Sequence, residues 1–366
     1  MDTIKFPFYA RAALTLIALV LTCFILSMAS SIFIPLVFGL LISILLYPLN
    51  KFLENKLHFG RTLSPVVCIL LFVTLLVSFI YFLAIQLVNF AGDFPQLRKR
   101  FLAMLDSLQH WLRYKMHINN AQQTEYLDKS MNGILGSLGH SISNVFVSVT
   151  SILLLTIFVL IFTFFILYYR KLLMKFVLYL FLAEHQTKVN EVIYETKSMI
   201  YSYVFGLVIE MVLVGIVNCS MFLIMGIQYA LLLGIMAAVL NIIPYLGIYT
   251  SIIITMLVTL ANSSLNLALE AGIGLFVVHL LDSNILFPRI VGGRVKMNPF
   301  ITIIAVIVGE FLWGVPGMFL FIPITGIIKL ICERVEGLEA WGLLIGVEEV
   351  EKKPKKKIKI EELKKE

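Results

Sequence analysis

Charge is what this sequence has least of. Only 14% of its 366 residues are Asp, Glu, Lys or Arg, and 60% are hydrophobic. A soluble domain carries about 25% charged residues. A chain this poor in charge cannot cover a water-facing surface, and its long apolar runs predict an all-α, polytopic membrane protein of about eight transmembrane segments. Cysteine is scarce too. Cys23, Cys68, Cys219 and Cys332 lie far apart in apolar stretches with no CxxC pair, which excludes a disulfide framework or a cysteine metal site. No HExxH, GxSxG or glycine-rich phosphate loop is present. We therefore expect no enzyme, no cofactor and no bound metal. Without an ATP-binding domain, concentrative transport must draw on an ion gradient or on the solute's own gradient. The apolar run 12–29 lacks a convincing small-x-small cleavage site, so a cleaved signal peptide is not expected.

The charges that are present sit between the apolar runs. The net charge of +7 comes from loops and a lysine-rich tail, which reads as topology and lipid contact and not as nucleic-acid binding. Residues 1–92 are expected to form spans 1–3, with the basic loop Lys51, Lys56 and Arg61 in the cytoplasm. Residues 93–142 change character: Phe94, Leu97, Phe101, Leu105, Leu108 and Leu112 recur at helical spacing, predicting a separate amphipathic segment, outside by span parity. Residues 143–170 form span 4, and 171–198 a cytoplasmic helical segment rich in lysine. Residues 199–331 hold spans 5–8, the expected transport core, and 332–366 form a cytoplasmic tail. That tail packs six lysines into residues 352–359, suited to anionic lipid headgroups. The pattern places both termini in the cytoplasm.

Two apolar runs in the core exceed 30 residues, and each is broken near its middle. Tyr229–Ala261 is interrupted at Asn241, Pro244 and Gly247; Pro299–Leu330 is interrupted at Gly314, Pro316 and Gly317. As straight helices they would be roughly 50 Å long, against a bilayer core of about 30 Å. Proline lacks the backbone N–H and clashes with the preceding turn. Backbone groups freed at membrane depth must be buried in protein or line a wet cavity. The loop Pro288–Asn298 holds Arg289, Arg294 and Lys296 with no acid. Placing it in the cytoplasm turns both runs into possible re-entrant hairpins of opposite orientation, whose tips face one shared pocket. Kinked ordinary spans are the alternative.

These same residues carry a resemblance. Asn241-Ile242-Ile243-Pro244-Tyr245-Leu246-Gly247, then the stretch from Asp282 to Gly292, then Gly309-Glu310-Phe311-Leu312-Trp313-Gly314-Val315-Pro316-Gly317-Met318 resemble, in order and spacing, the signature blocks of the autoinducer-2 exporter family. The closing Ile322-Pro323 is similar as well, and the hydropathy outline agrees over roughly residues 5–345. The resemblance implies export of a small signalling solute, sodium or proton antiport in some members, and a homo-oligomer. Gly206 is followed here by Leu207, where the family often has glutamine.

Candidates for the chemistry are few. Glu210 lies near the middle of span 5, where an ionisable group costs at least about 2–3 kcal/mol. It reads as a proton- or cation-linked carboxylate or as a packing residue. Glu310, beside the second break, reads as a hairpin-tip carboxylate that could converge with Glu210, or as a local cap. His279, Asp282 and Ser283 share a helix face at i, i+3 and i+4 and read as a proton relay or as an interfacial salt bridge to Arg289 or Arg294. Asn241 is expected to satisfy carbonyls freed by Pro244. The expected function is a secondary transporter or exporter of a small polar solute, driven by movement of the hairpins. The alternatives are an Na⁺/H⁺-type antiporter using the intramembrane carboxylates, and a non-transport oligomeric scaffold.

Overall fold

The computed structural model describes residues 7–116, 152–243, 246–292 and 297–347. All regular elements among them are helical. Helices α1 (Phe8–Met28), α2 (Ser30–Lys56), α3 (Leu63–Met116), α4 (Ile152–Tyr179) and α5 (Gln186–Ile224) come first. Then follow α6 (Ala230–Leu240), α7 (Leu246–Asn262), α8 (Leu265–Leu281), α9 (Pro299–Arg334) and the short α10 (Glu339–Ile345). Among the described residues, seven helices are long and apolar enough to cross a membrane by length and composition: α1 to α5, α8 with its extension to Ile290, and α9 taken end to end, which a reversal at Gly314 divides into two limbs. The protein is an all-α polytopic membrane protein.

The two broken runs are both hairpins. Helices α6 and α7, with 11 and 17 residues, are each shorter than the ~20 residues of a crossing helix. Ile252, Ile254 and Val258 of α7 pack in one cluster with Ala230, Leu233 and Ala237 of α6, so the limbs lie side by side. A Cβ on Gly247 would stand 1.9 Å from the Leu240 carbonyl oxygen, so only glycine lets α7 begin against the end of α6. Pro244 and Tyr245 lie outside the described residues. In α9 the chain reverses at Gly314 (φ 64, ψ −147). Gly309 and Gly317 then meet: a Cβ on Gly309 would lie 2.3 Å from the Gly317 oxygen. In an unbroken helix these positions would be about 12 Å apart along the axis.

Helix α5 is the axis on which both hairpins pack. Its buried positions run Met199, Ile200, Tyr203, Val204, Gly206, Leu207, Glu210, Val214, Gly215, Asn218 and Phe222, a stripe at helical spacing. The 199–207 part packs with Val306, Trp313, Leu320 and Ile322 of α9 and with Leu41 of α2. The 214–222 part packs with α6 and α8 through Ala237, Ala238, Ala271, Leu275 and Val278. Small residues allow the close approach: a Cβ on Gly234 would lie 2.7 Å from the Cys219 nitrogen. Glu210 falls between the two parts.

The hairpins enter from opposite ends of the bundle. The α6–α7 hairpin opens at the end where α5 finishes, and there Tyr229 donates to Asp93 of α3 at 2.5 Å. The α9 hairpin opens at the other end, where the Asn298 amide donates to the Ile345 carbonyl at 2.9 Å and an isolated bridge joins Met297 to Gly346. Its tip is held at the far end of α1, where the Trp313 indole donates to the Leu26 carbonyl at 2.9 Å.

Several expected boundaries move. Helix α3 runs unbroken to Met116 through Pro95, so the expected amphipathic segment 93–142 starts as a continuation of the same helix beyond the apolar span Leu63–Asp93. Pro95 removes one ladder bond, to the carbonyl of Ala91, an exposed residue near the end of the apolar span Leu63–Asp93. Residues 117–142 are outside the described residues. Across the segment 171–198, α4 continues to Tyr179, a short 3₁₀ turn covers Ala183–His185, and α5 starts at Gln186. Helix α9 reaches Arg334, past the expected end of the core at residue 331. The lysine-rich stretch 352–359 lies outside the described residues.

Candidate functional site

The α6–α7 hairpin ends at the depth of Glu210, and three polar side chains from three helices meet there. Asn241, at the end of α6, donates from Nδ2 to Asp282 Oδ2 at 2.8 Å. Asp282 lies within hydrogen-bond reach of Glu210 on α5. Both acids are buried, with 5% of Glu210 and 3% of Asp282 exposed. Glu210 Oε2 and Asp282 Oδ1 are buried without a hydrogen-bond donor in the described structure. Asn218 Oδ1, two helical turns beyond Glu210 on the same buried stripe, is unpartnered too. Three buried oxygens that accept and receive nothing mark a place that favours a proton or a cation.

The local backbone makes this possible. Helix α8 gives way to π-helical turns at Asp282–Leu286 and Pro288–Gly292. Pro288 cannot donate to the helical ladder, and the wider turn relieves its clash with the carbonyl one turn back. The switch begins at Asp282, whose side chain turns inward. A small cavity adjoins it, lined by Val214, Asn218, Ala237, Asn241, Ile248, Leu275, Val278, His279 and Asp282. It is about large enough for one water or a bare ion, far below the about 300–1,000 Å³ of drug-sized ligand sites.

The sequence candidates scatter relative to this site. Glu210, Asp282 and Asn241 come together. His279 lines the same cavity and its Nδ1 is buried and unpartnered, but its Nε2 pairs with Ser283 Oγ at 3.3 Å. Ser283 is exposed and Asp282 buried, so the expected shared face divides. Arg289 is exposed and makes no ion pair with Asp282 among the described residues; Arg294 lies outside them. Glu310 does not converge with Glu210. Gly309 occupies the inward position against Gly317, and the next residue, about 100° further round the helix, points outward. Gly314, Pro316 and Gly317 shape the second tip, which is bound to α1 and does not line the cavity. Among the described residues, the cavity at the first tip is not shared with the second. Asn218 was not singled out from the sequence; its place eight residues after Glu210 on a buried stripe is the signal that finds it.

Long apolar helices enclosing two opposed broken-helix hairpins, with paired acids at membrane depth beside one tip, define an integral membrane transporter. The AI-2E family transporter model matches residues 14–337, and the chain belongs to this family. Similar proteins include "Putative transport protein YrrI" of Bacillus subtilis (strain 168), 24% identical over 311 residues, covering 82% of this chain and 85% of that one. "Putative transport protein YueF" of the same organism is 27% identical over 310 residues, covering 82% and 83%. "AI-2 transport protein TqsA" of Escherichia coli (strain K12) is 24% identical over 323 residues, covering 87% and 90%. The chain is a transporter and not an enzyme.

Proposed function

We propose that this protein is an ion-coupled secondary transporter in which Glu210 and Asp282 hold the coupling proton or cation and the α6–α7 hairpin is the moving element. One observation carries the reading: two carboxylates abut inside the bundle, each with a buried oxygen that no donor serves. Two full negative charges side by side in a poorly solvated site repel strongly, so the pair is balanced by a proton or a small cation. Asn241 ties the hairpin tip to that pair, so a change of its occupant changes what holds the tip. That is a direct mechanical link between ion binding and hairpin movement. The carried solute is a small polar molecule; the relative named for AI-2 transport makes a signalling solute the first to test. The small cavity favours a second reading, cation–proton antiport with no organic cargo. By the charge of the loops, both termini face the cytoplasm, and the bacterial relatives point to a bacterial plasma membrane.

Purified protein in liposomes tests this. An imposed pH gradient is expected to drive Na⁺ or solute movement, read with a pH-sensitive dye and a tracer. Glu210→Gln and Asp282→Asn should each abolish the coupling. At an effective dielectric of 20 and about 4 Å, one unit charge contributes ~4 kcal/mol, or about a thousandfold in ion affinity. Gradient-driven flux that survives both substitutions at wild-type level would sink the proposal. Na⁺ exchange without solute flux selects the antiport reading.

A further inference from the structure

A second polar cluster lies at the opposite end of the bundle from the mouth of the α6–α7 hairpin, where α2 and α4 end and α5 begins. Its centre is Tyr47. The Lys197 Nζ lies 2.9 Å from the centroid of the Tyr47 ring, and the Arg170 guanidinium carbon lies 5.8 Å from the same centroid. The charged groups acting on Lys197 are Arg170 and Lys51, both cations. The carboxylate of the cluster, Glu54, is engaged by Arg170 and accepts from Asn50 at 3.2 Å, with Lys171 nearby. Lys51, Arg170, Lys171 and Lys197 thus gather around a single acid that Arg170 already holds. The face of a tyrosine ring attracts cations, but it cannot neutralise them.

Lys197 is only partly exposed, so solvent alone does not screen this repulsion. The surroundings are apolar and outward-facing: Leu49 and Phe52 on α2, and Leu173 and Phe176 on α4, are all exposed. A partly enclosed cationic niche rimmed by exposed apolar side chains is complementary to a molecule with an anionic head and a greasy body. We propose that the niche formed by Tyr47, Lys51, Arg170 and Lys197 binds the phosphate of an anionic phospholipid. The phosphate supplies the anion that Lys51 and Lys197 lack, and the acyl chains cover the apolar rim. A free phosphate ion satisfies only the first half of that description. The site is distinct from the lysine-rich stretch 352–359, and it is independent of the transport reading.

Full-length protein in a neutral detergent tests this by thermal-shift titration with a short-chain phosphatidylglycerol. Phosphatidylcholine and inorganic phosphate are the comparison ligands. Saturable stabilisation by phosphatidylglycerol alone is expected. Each lysine near a membrane surface contributes about a fivefold factor in binding, so Lys51→Gln/Lys197→Gln should weaken the lipid about 30-fold. Lys51→Gln by itself, at an exposed position where packing is not at stake, should weaken it about fivefold. A full-length variant with the lysines of 352–359 changed to Gln should keep the wild-type response. Equal stabilisation by inorganic phosphate, unchanged lipid affinity in both Lys51 variants, or loss of the response in the tail variant would overturn the proposal.

Discussion

A single methyl group on Gly317 tests the α9 hairpin. The added Cβ would stand 1.9 Å from the Gly309 carbonyl oxygen, 2.6 Å from its carbon and 3.0 Å from the Trp313 Cβ. Carbon and carbonyl oxygen approach no closer than about 3.3 Å in ordinary contacts. The two limbs would therefore have to part by more than about 1 Å. The obstacle is backbone inside a helical limb, so no side chain can swing away to make room. Overpacking of this kind costs about 1–3 kcal/mol. Gly314→Ala fails for a different reason. Nothing lies within 4 Å of a Cβ there, but φ 64 with ψ −147 is backbone that non-glycine residues avoid at a cost of about 1–3 kcal/mol. The sign is diagnostic. If 299–334 were one uninterrupted helix, Gly→Ala at 309, 314 and 317 would each stabilise by about 1 kcal/mol through helix propensity. Gly92, exposed within α3 with nothing near its Cβ, supplies that comparison and should gain stability as Ala. Thermal unfolding of the purified variants in detergent reads all four. Gly314→Ala and Gly317→Ala as stable as the parent would refute the reversed chain.

Other substitutions probe the site and its supports. Asn241→Ala removes the 2.8 Å bond to Asp282 and should weaken ion coupling in liposomes while leaving the helices folded by circular dichroism. Glu310→Gln should leave coupling at the wild-type rate, since the side chain is exposed and away from the acid pair; a loss equal to that of Glu210→Gln would contradict this placement. Trp313→Phe keeps the ring and removes the 2.9 Å bond to Leu26, and should lower thermal stability by about 1 kcal/mol.

Much of this architecture is legible in the sequence because proline and glycine act locally. The breaks at 241–247 and 314–317 are written in residues whose backbone preferences hold whatever surrounds them, and run length against bilayer thickness demanded that something give. The acid pair was harder to see. Glu210 stood out because an ionisable group in an apolar run is conspicuous, but its partner depends on rotation about helix axes. Glu310 looked equivalent by sequence, and the Gly309–Gly317 contact turns it outward. Asp282 reads from sequence as part of a proton relay or of an interfacial salt bridge, neither of which pairs it with Glu210, and a switch from α to π geometry at that very position turns it inward. Periodicity arguments assume one constant twist, so a local change of twist is where they fail. The continuation of α3 through Pro95 is not legible for a related reason: a proline at the end of an apolar span can stop a helix or merely cost it one ladder bond, and the residue types alone do not say which.

The two hairpins look alike as sequence and differ as devices. The α9 hairpin is clamped by backbone contact between its limbs, by an indole bond from its tip to α1, and by the stitching of its start to the end of α10. Moving its tip means breaking packing that no ion can replace. At the α6–α7 tip the side-chain hydrogen bond runs to Asp282, the residue whose charge an ion would change. Helix α5 packs its 199–207 part on the first device and its 214–222 part on the second, with Glu210 at the junction. On the proposed mechanism, a carboxylate at that position would sense the α6–α7 hairpin while standing on the clamped α9 hairpin. It follows that substitutions loosening the α9 tip should lower stability first, whereas substitutions at the α6–α7 tip should alter ion affinity first. Measuring unfolding and coupled flux on the same Trp313→Phe and Asn241→Ala preparations separates the two, and the division of labour fails if both variants lose both properties in equal proportion.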